Sequence, residues 1–277
     1  MLPSAPPSPL SLSISTEPLE RFPPKLLDFG DKEALPNNRT FPSGSNIRTG
    51  KGSGTNRPQR RCLGMAKVPD TAEAGPEGRT ISQLRAEAAD CRRCALYKHA
   101  TQTVFGEGSP QAAIVFVGEQ PGDQEDLQGR PFVGPAGKLF DRALAEAGID
   151  RGKTYVTNAV KHFKFEPRGK KRLHKRPDRG EIEACRWWLE AEIAVIRPQL
   201  VVALGATAAR ALAGRAITIS KLRGQTVDLM GHRGLVTVHP SYLLRMPDAA
   251  ARKQEYRKFV ADLRLAARHA GRSAIAA

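Results

Sequence analysis

The chain has 277 residues, 40% of them hydrophobic, and carries 44 Lys and Arg against 28 Asp and Glu, a formal charge of +16 with a pI near 10.1. That balance excludes an acidic solvating protein and points to a polyanionic partner, while the apolar share can fill the core of one ordinary domain with sequence to spare. No stretch approaches the ~18–20 apolar residues of a membrane span, and the opening MLPSAPPSPLSLSIS lacks the basic-then-apolar order of a secretory signal, so the chain reads as a soluble cytoplasmic protein, nucleoid-associated in a bacterial cell.

Residues 1–80 hold twelve of the 21 prolines and no lasting periodicity, a composition that cannot offset its ordering entropy by burial, so this Pro/Gly/Ser-rich extension is expected to be disordered. Met65 opens MAKVPDTAEAGPEGRT just ahead of the first amphipathic segment and is a candidate start of translation. In residues 1–80, 11 Lys and Arg against 8 Asp and Glu leave +3; in 81–277, 33 against 20 leave +13. The basic excess therefore belongs to the part that folds, expected over 81–269 with a short tail at 270–277. From Ile81, ISQLRAEAADCRRCALYKHA has helical spacing of apolar positions, and AAIVFVG (112–118) is a continuous apolar run of the kind found in buried parallel strands. A helix is expected at about 136–148 with Gly148 just past its end, then a strand in TYVTNAV (154–160) and a basic insertion. Asp178 caps a long helix to about 196, and Pro198 bars its continuation. QLVVALG (199–205) is a third strand running into the helix ATAARALAG. QTVDLM and GLVTVH are two later strands before a last helix at about 248–269. Strands alternating with helices give an α/β fold, three-layer α/β/α with a mostly parallel central sheet. In such sheets ligands bind beyond the carboxyl ends of the strands.

Three strand ends carry polar, rigid turns: Gly118 to Asp126 (GEQPGDQED), Asn158 to His162 (NAVKH) and His239-Pro240-Ser241. Taken singly, each is accounted for by turn formation and helix capping. Together they outline a crevice. GEQPG has neither the G-x-G-x-x-G of a dinucleotide site nor the GK[ST] of a P-loop, so a nucleotide cofactor is unsupported. Four cysteines, two of them in one C-x-x-C, are too few and too unevenly spaced for a disulfide framework, which leaves metal or redox chemistry.

GEQPGDQEDLQGRPFVGPAG (118–137), TNAVKH (157–162), GKKRLHKRP (169–177) and HPSYLLR (239–245), preceded by C-R-R-C, resemble the UdgX subgroup of the family 4 uracil-DNA glycosylases over about 81–269. The resemblance implies a uracil-DNA glycosylase-like fold and a monomer that excises uracil from DNA, preferentially single-stranded, in base-excision repair. It makes Phe132 the aromatic that stacks on the base, whereas a lone Phe is otherwise a core residue. Asn158, whose amide offers one acceptor and two donors, would pair with uracil N3–H and O4, the bland alternative being a strand-end Asx turn. Gln120 would support the same pocket. His239 would donate to uracil O2 as the base departs, and Asp123 or Glu119 would stabilise the cationic sugar or position water; the sequence does not choose between them.

In the same subgroup the histidine matching His174 attacks C1′ and leaves the protein joined to the abasic sugar. A neutral imidazole flanked by cations is a reasonable nucleophile. The insertion departs from the family's usual KRRIH at Lys171 and Leu173. Read by composition alone, Lys170, Lys171, Arg172, Lys175 and Arg176 form a basic loop for DNA phosphates, with Lys161 and Lys164 adding to it. Arg245 would meet phosphate beside a wedge of Leu243 and Leu244, unless both leucines are core. The family's [4Fe–4S] cluster takes four cysteines. Here Cys91, Cys94 and Cys185 are suited to it, Cys62 lies in the extension, and His162 is the expected fourth ligand; zinc or an unliganded dithiol are the alternatives.

Overall fold

A computed structural model describes residues 78–271. All but the last three residues of the extension, with the start at Met65 and Cys62, and all but the first two residues of the short tail lie outside the described residues. The elements run α1 (Ile81–Ala89), β1 (Glu107–Gly108), β2 (Ile114–Gly118), α2 (Asp123–Gln128), α3 (Pro135–Glu146), β3 (Tyr155–Asn158), β4 (Phe165–Arg168), β5 (Lys171–His174) and α4 (Arg179–Ile196). After them come β6 (Leu200–Leu204), α5 (Ala206–Ala213), α6 (Ile219–Leu222), β7 (Val227–Leu229), β8 (His232–Thr237), α7 (Pro240–Arg245) and α8 (Ala249–Ala270).

The main sheet has the order β1-β3-β2-β6-β8-β7. Its four inner strands pair in parallel, and short β1 and β7 close the two edges antiparallel. Side chains alternate across the strands, so each apolar run feeds two cores. Val115, Val117, Tyr155, Val201, Ala203 and Val236 pack with α1, α4 and α5 on one face. Ile114, Phe116, Val156, Leu200, Val202, Leu204 and Leu235 pack with α3, α7 and α8 on the other. The chain leaves β2 toward β3 on one side and later toward β6 on the other. The switch point of the sheet is thus the end of β2, at Gly118.

Three local outcomes differ from the sequence reading. The helix from Ile81 stops at Ala89, and the C-R-R-C segment forms a bend leading to a single 3₁₀ turn at Ala95–Lys98. GDQED and HPSYLLR are short helices, α2 and α7, not open loops. The basic insertion is a β-hairpin, β4 paired with β5, whose two-residue turn has Gly169 at φ 57°. A positive φ at the first central residue is where a II′ turn takes glycine.

Candidate functional site

The end of β2 holds the site together. Gly118 pairs in register with Asn158, and the turn after β3 stays bound to the turn after β2 through Ala159 N–H to Gly118 O at 2.9 Å and Val160 N–H to Glu119 O at 3.1 Å. A Cβ on Gly118 would come 2.3 Å from Asn158 Oδ1 and 2.7 Å from Phe132 Cζ, so only glycine leaves room for both side chains. Phe132 itself sits at φ 57°, a left-handed conformation that costs a bulky residue roughly 1–3 kcal/mol and is held here by its surroundings. Its ring lies 5.3 Å from that of Phe140 and 5.9 Å from the His239 imidazole, tilted 33° from the latter. Asn158 is 2% exposed, and its Oδ1 is buried with no hydrogen-bond partner among the described residues. Such an orphan costs about 1–3 kcal/mol, and a ligand N–H would satisfy it.

His239 caps α7. The Ser241 N–H donates to Nδ1 at 3.2 Å and the Ser241 hydroxyl lies 2.8 Å from the same nitrogen, while Arg245 Nη1 donates to Ser241 Oγ at 3.0 Å. Because a backbone N–H can only donate, Nδ1 carries the lone pair and the proton sits on Nε2. Burial, with the nearby Arg245 cation and the His174 imidazole adding to it, pushes this imidazole down to about 4, so it is a neutral Nε2–H donor at neutral pH.

His174 ends β5, its side chain half exposed. Gln120 joins this end of the hairpin to the β2 loop. Lys164 N–H donates to Gln120 Oε1 at 3.1 Å, which fixes the amide's orientation. Gln120 Nε2, with two protons, donates to Lys164 O at 3.1 Å and Lys175 O at 3.0 Å and also lies 3.0 Å from His174 Nε2. An amide nitrogen does not accept, so this contact favours the tautomer with the lone pair on His174 Nε2. Burial lowers the His174 pKa, Glu119 opposing and Arg245 assisting, which favours the neutral ring. Glu119 Oε1 is 3.7 Å from that nitrogen, too far for a hydrogen bond, and Thr207 of α5 donates its hydroxyl to Glu119 Oε2.

Asp123 is tied to the hairpin. Its Oδ1 accepts from Arg172 Nε at 2.6 Å, and the wholly buried Asp126 accepts from Arg172 Nη1 at 2.6 Å. The guanidinium also lies over Phe165 and Phe163 at 5.1 and 5.4 Å from their ring centres. Arg172 thus anchors the hairpin instead of lying open to phosphate. Lys175 pairs with Glu166 at the surface, and Arg176 Nε is 3.9 Å from Glu119 Oε2. Lys170 and Lys171 are exposed at the hairpin tip, and Arg245 is exposed on α7. Lys164 bridges Asp178 and Glu181 at the start of α4. The expectation that Lys161 meets phosphate is wrong: its side chain is wholly buried and paired with Glu192 at 2.5 Å. Leu243 is also wholly buried, so half of the leucine wedge is core, and α7 exposes Tyr242.

The cysteines flank the β3 turn on the other side. Cys91 accepts from Trp188 Nε1 at 3.1 Å and Cys185 from Lys161 N–H at 3.2 Å, while Cys94 starts the 3₁₀ turn. Burial pushes the Cys185 thiol up to about 12 and raises Cys94, with the neighbouring thiols adding to both. His162 is buried. Thr103 gives its hydroxyl proton to Ala88 O at 2.8 Å, so its oxygen accepts from His162 Nε2–H at 3.0 Å. That places the ring's lone pair on Nδ1, which is buried with no hydrogen-bond partner among the described residues. Three soft thiols and one unspent imidazole nitrogen fit an iron–sulfur cluster in kind. No three such donors converge on a single point among the described residues, whereas a multi-iron cluster takes its ligands spread over several irons.

Sequence reasoning missed Thr207. The signal was the strand-end rule itself, which applies to Gly205-Ala206-Thr207 after β6 as much as to the other three strand ends.

A family model described as the uracil DNA glycosylase superfamily matches residues 105–264. The chain is 41% identical over 174 residues to the type-4 uracil-DNA glycosylase of Thermotoga maritima, covering 62% of this chain and 84% of that protein. It is 33% identical over 188 residues to the type-4 enzyme of Sulfurisphaera tokodaii, covering 66% and 81%, and 36% identical over 185 residues to that of Archaeoglobus fulgidus, covering 64% and 88%. With a family model spanning more than half its length and three such relatives matched over more than four fifths of theirs, the chain belongs to the uracil DNA glycosylase superfamily.

Proposed function

We propose that this protein is a uracil-DNA glycosylase that takes uracil from single strands and is then joined through His174 to the abasic sugar. The relatives named above are uracil-DNA glycosylases, hydrolases of N-glycosyl bonds, which supports the excision. A base can be cleaved only once out of the stack. Phe132 offers it a ring face, and the unpaired Asn158 Oδ1 suits N3–H of uracil, whereas cytosine presents a bare N3 acceptor. As the C1′–N1 bond breaks, its electron pair leaves with the uracil anion, whose O2 is met by the neutral Nε2–H of His239. Glu119 sets a negative charge opposite the cationic sugar. With Leu243 buried, α7 lacks a full leucine wedge to fill a duplex stack, which favours single-stranded substrate.

The covalent step is supported by one arrangement: His174 ends a hairpin pinned beside Glu119, its Nε2 3.0 Å from the Gln120 amide nitrogen, a contact that favours a lone pair there, while burial lowers its pKa and favours the neutral ring. Attack of Nε2 on C1′ forms a C–N bond and an imidazolium, which sheds its Nδ1 proton; uracil leaves as the anion and takes up one proton from water. The test counts uracils released per protein and looks for an SDS-resistant band on uracil-containing single-stranded DNA. One uracil per protein, with a shifted band that His174→Ala abolishes, is the expected result. Many turnovers without a band would assign the enzyme to ordinary hydrolysis, and no release would leave a binding protein.

Cys91, Cys94, Cys185 and His162 would hold a [4Fe–4S] cluster. When bound, it would staple the C-R-R-C bend, the β3 turn and α4 to one another; glycosidic cleavage transfers no electron. Anaerobically purified protein is expected to contain about four iron and four sulfide per chain, as the cluster's composition requires. Cys185→Ala should lose both, and zinc without sulfide would overturn the assignment.

A further inference from the structure

We propose that Thr207 is the positioning residue for Glu119, fixing the carboxylate that faces the reacting sugar; this rests on the role given to Glu119 above. β6 ends at Leu204, and the chain turns into α5 through Gly205 at φ 93°, where a Cβ would lie 3.1 Å from His239 Cβ. This tight turn brings the first turn of α5 against the β2 loop. Thr207 is 6% exposed, and its hydroxyl has one hydrogen-bond partner among the described residues, Glu119 Oε2.

Nothing else among the described residues holds that carboxylate as closely. Oε1 stands 3.7 Å from His174 Nε2, and Oε2 stands 3.9 Å from Arg176 Nε, both beyond hydrogen-bond range. The two weaker neighbours belong to β5 and the segment after it, the part of the site that carries the most exposed side chains. Thr207 belongs to the packed α5. Its hydroxyl therefore ties the negative charge to the rigid sheet and turns Oε1 toward His174, so the charge stays in place while the hairpin receives DNA.

The experiment measures single-turnover uracil release and adduct formation on a single-stranded uracil oligonucleotide, together with its Kd. Thr207→Val keeps the shape and removes the donor. It is expected to slow bond cleavage about 10- to 100-fold, as loss of a hydrogen bond to a charged group does, with Kd unchanged. Thr207→Ser restores the hydroxyl and should stay within about threefold of the unsubstituted protein, which also separates positioning from packing loss if the valine variant melts early. In a Glu119→Gln background, Thr207→Val should add nothing further. Full rate in Thr207→Val, a serine variant as slow as the valine one, or an undiminished valine effect on top of Glu119→Gln would each overturn the positioning. If Glu119→Gln alone kept full rate, the role of the carboxylate itself would fall, a result distinct from a slow glutamine variant beside a fast valine one.

Discussion

Replacing Lys161 with methionine is expected to cost about 3–5 kcal/mol of stability, because it strands a buried carboxylate. Lys161 and Glu192 are both wholly buried, with Nζ 2.5 Å from Oε2. Glu192 also accepts from Gly106 N–H at 3.0 Å, Tyr155 hydroxyl at 2.9 Å and Thr157 hydroxyl at 2.9–3.0 Å. Burial, with the Glu192 charge adding to it, raises the Tyr155 pKa, keeping that phenol a donor. Without the ammonium, the three neutral donors remain but the charge is uncompensated. The double variant Lys161→Met/Glu192→Gln removes both charges and is expected to recover to within about 2 kcal/mol, since buried pairs give little net stability beyond mutual cancellation. Denaturant midpoints followed by tryptophan fluorescence compare the three proteins; equal midpoints for the single variant and the unsubstituted protein would refute the argument. Lys161 Nζ also donates to Asn158 O at 2.9 Å, so the double variant should regain stability sooner than uracil discrimination.

What the sequence made legible follows from where burial does the ordering. The four inner strands are apolar runs packed on both faces, and periodicity alone located them within a residue or two. The β4–β5 hairpin was opaque for the opposite reason. FEPR and KRLH bury little, and their order comes from Arg172 reaching Asp123 and Asp126, 49 and 46 residues earlier in the chain. A basic stretch written in sequence looks the same whether its arginine meets phosphate or a carboxylate of the same chain. Lys161 misled in the same way, its partner Glu192 lying 31 residues further on. α2 has six residues and no apolar stripe; it is held by Glu125, which accepts from Gly122 N–H at 3.1 Å and Gly134 N–H at 2.8 Å. Strand-end motifs brought Glu119, Gln120, Asn158 and His239 into view because their polar side chains stood out. Thr207 did not stand out, since Gly-Ala-Thr at a helix start looks like ordinary capping sequence. His162 was read from its place in the resemblance, but the tautomer that leaves Nδ1 unspent depends on Thr103 and Ala88 and could be seen only in three dimensions.

Replacing His239 with alanine is expected to slow uracil release by about a hundred- to a thousandfold, the loss that follows removal of one pre-aimed donor to developing negative charge. The chain Arg245, Ser241, His239 Nδ1 holds the ring so that Nε2–H points away from α7, and no proton must move before the uracil anion forms. The same ring predicts an acid-side signature in stability. Its folded pKa, about 4, lies below the 6.5 of an unperturbed histidine, so between those values the unfolded chain binds more protons than the folded one. Stability that is fully present above pH 6.5 is therefore lost as pH falls toward 4, by up to about 3 kcal/mol at 1.36 kcal/mol per unit. His174, lowered in the same direction, adds to the slope. Denaturant midpoints at pH 7 and pH 4.5 should fall less in His239→Ala than in the unsubstituted protein, although the variant is the slower enzyme at both. His239→Gln, which keeps an N–H at the ring's place, should recover part of the rate without restoring the slope. A variant that keeps the full acid-side loss would mean that His239 is not the neutral donor, and the assignment of the O2 contact would fall with it.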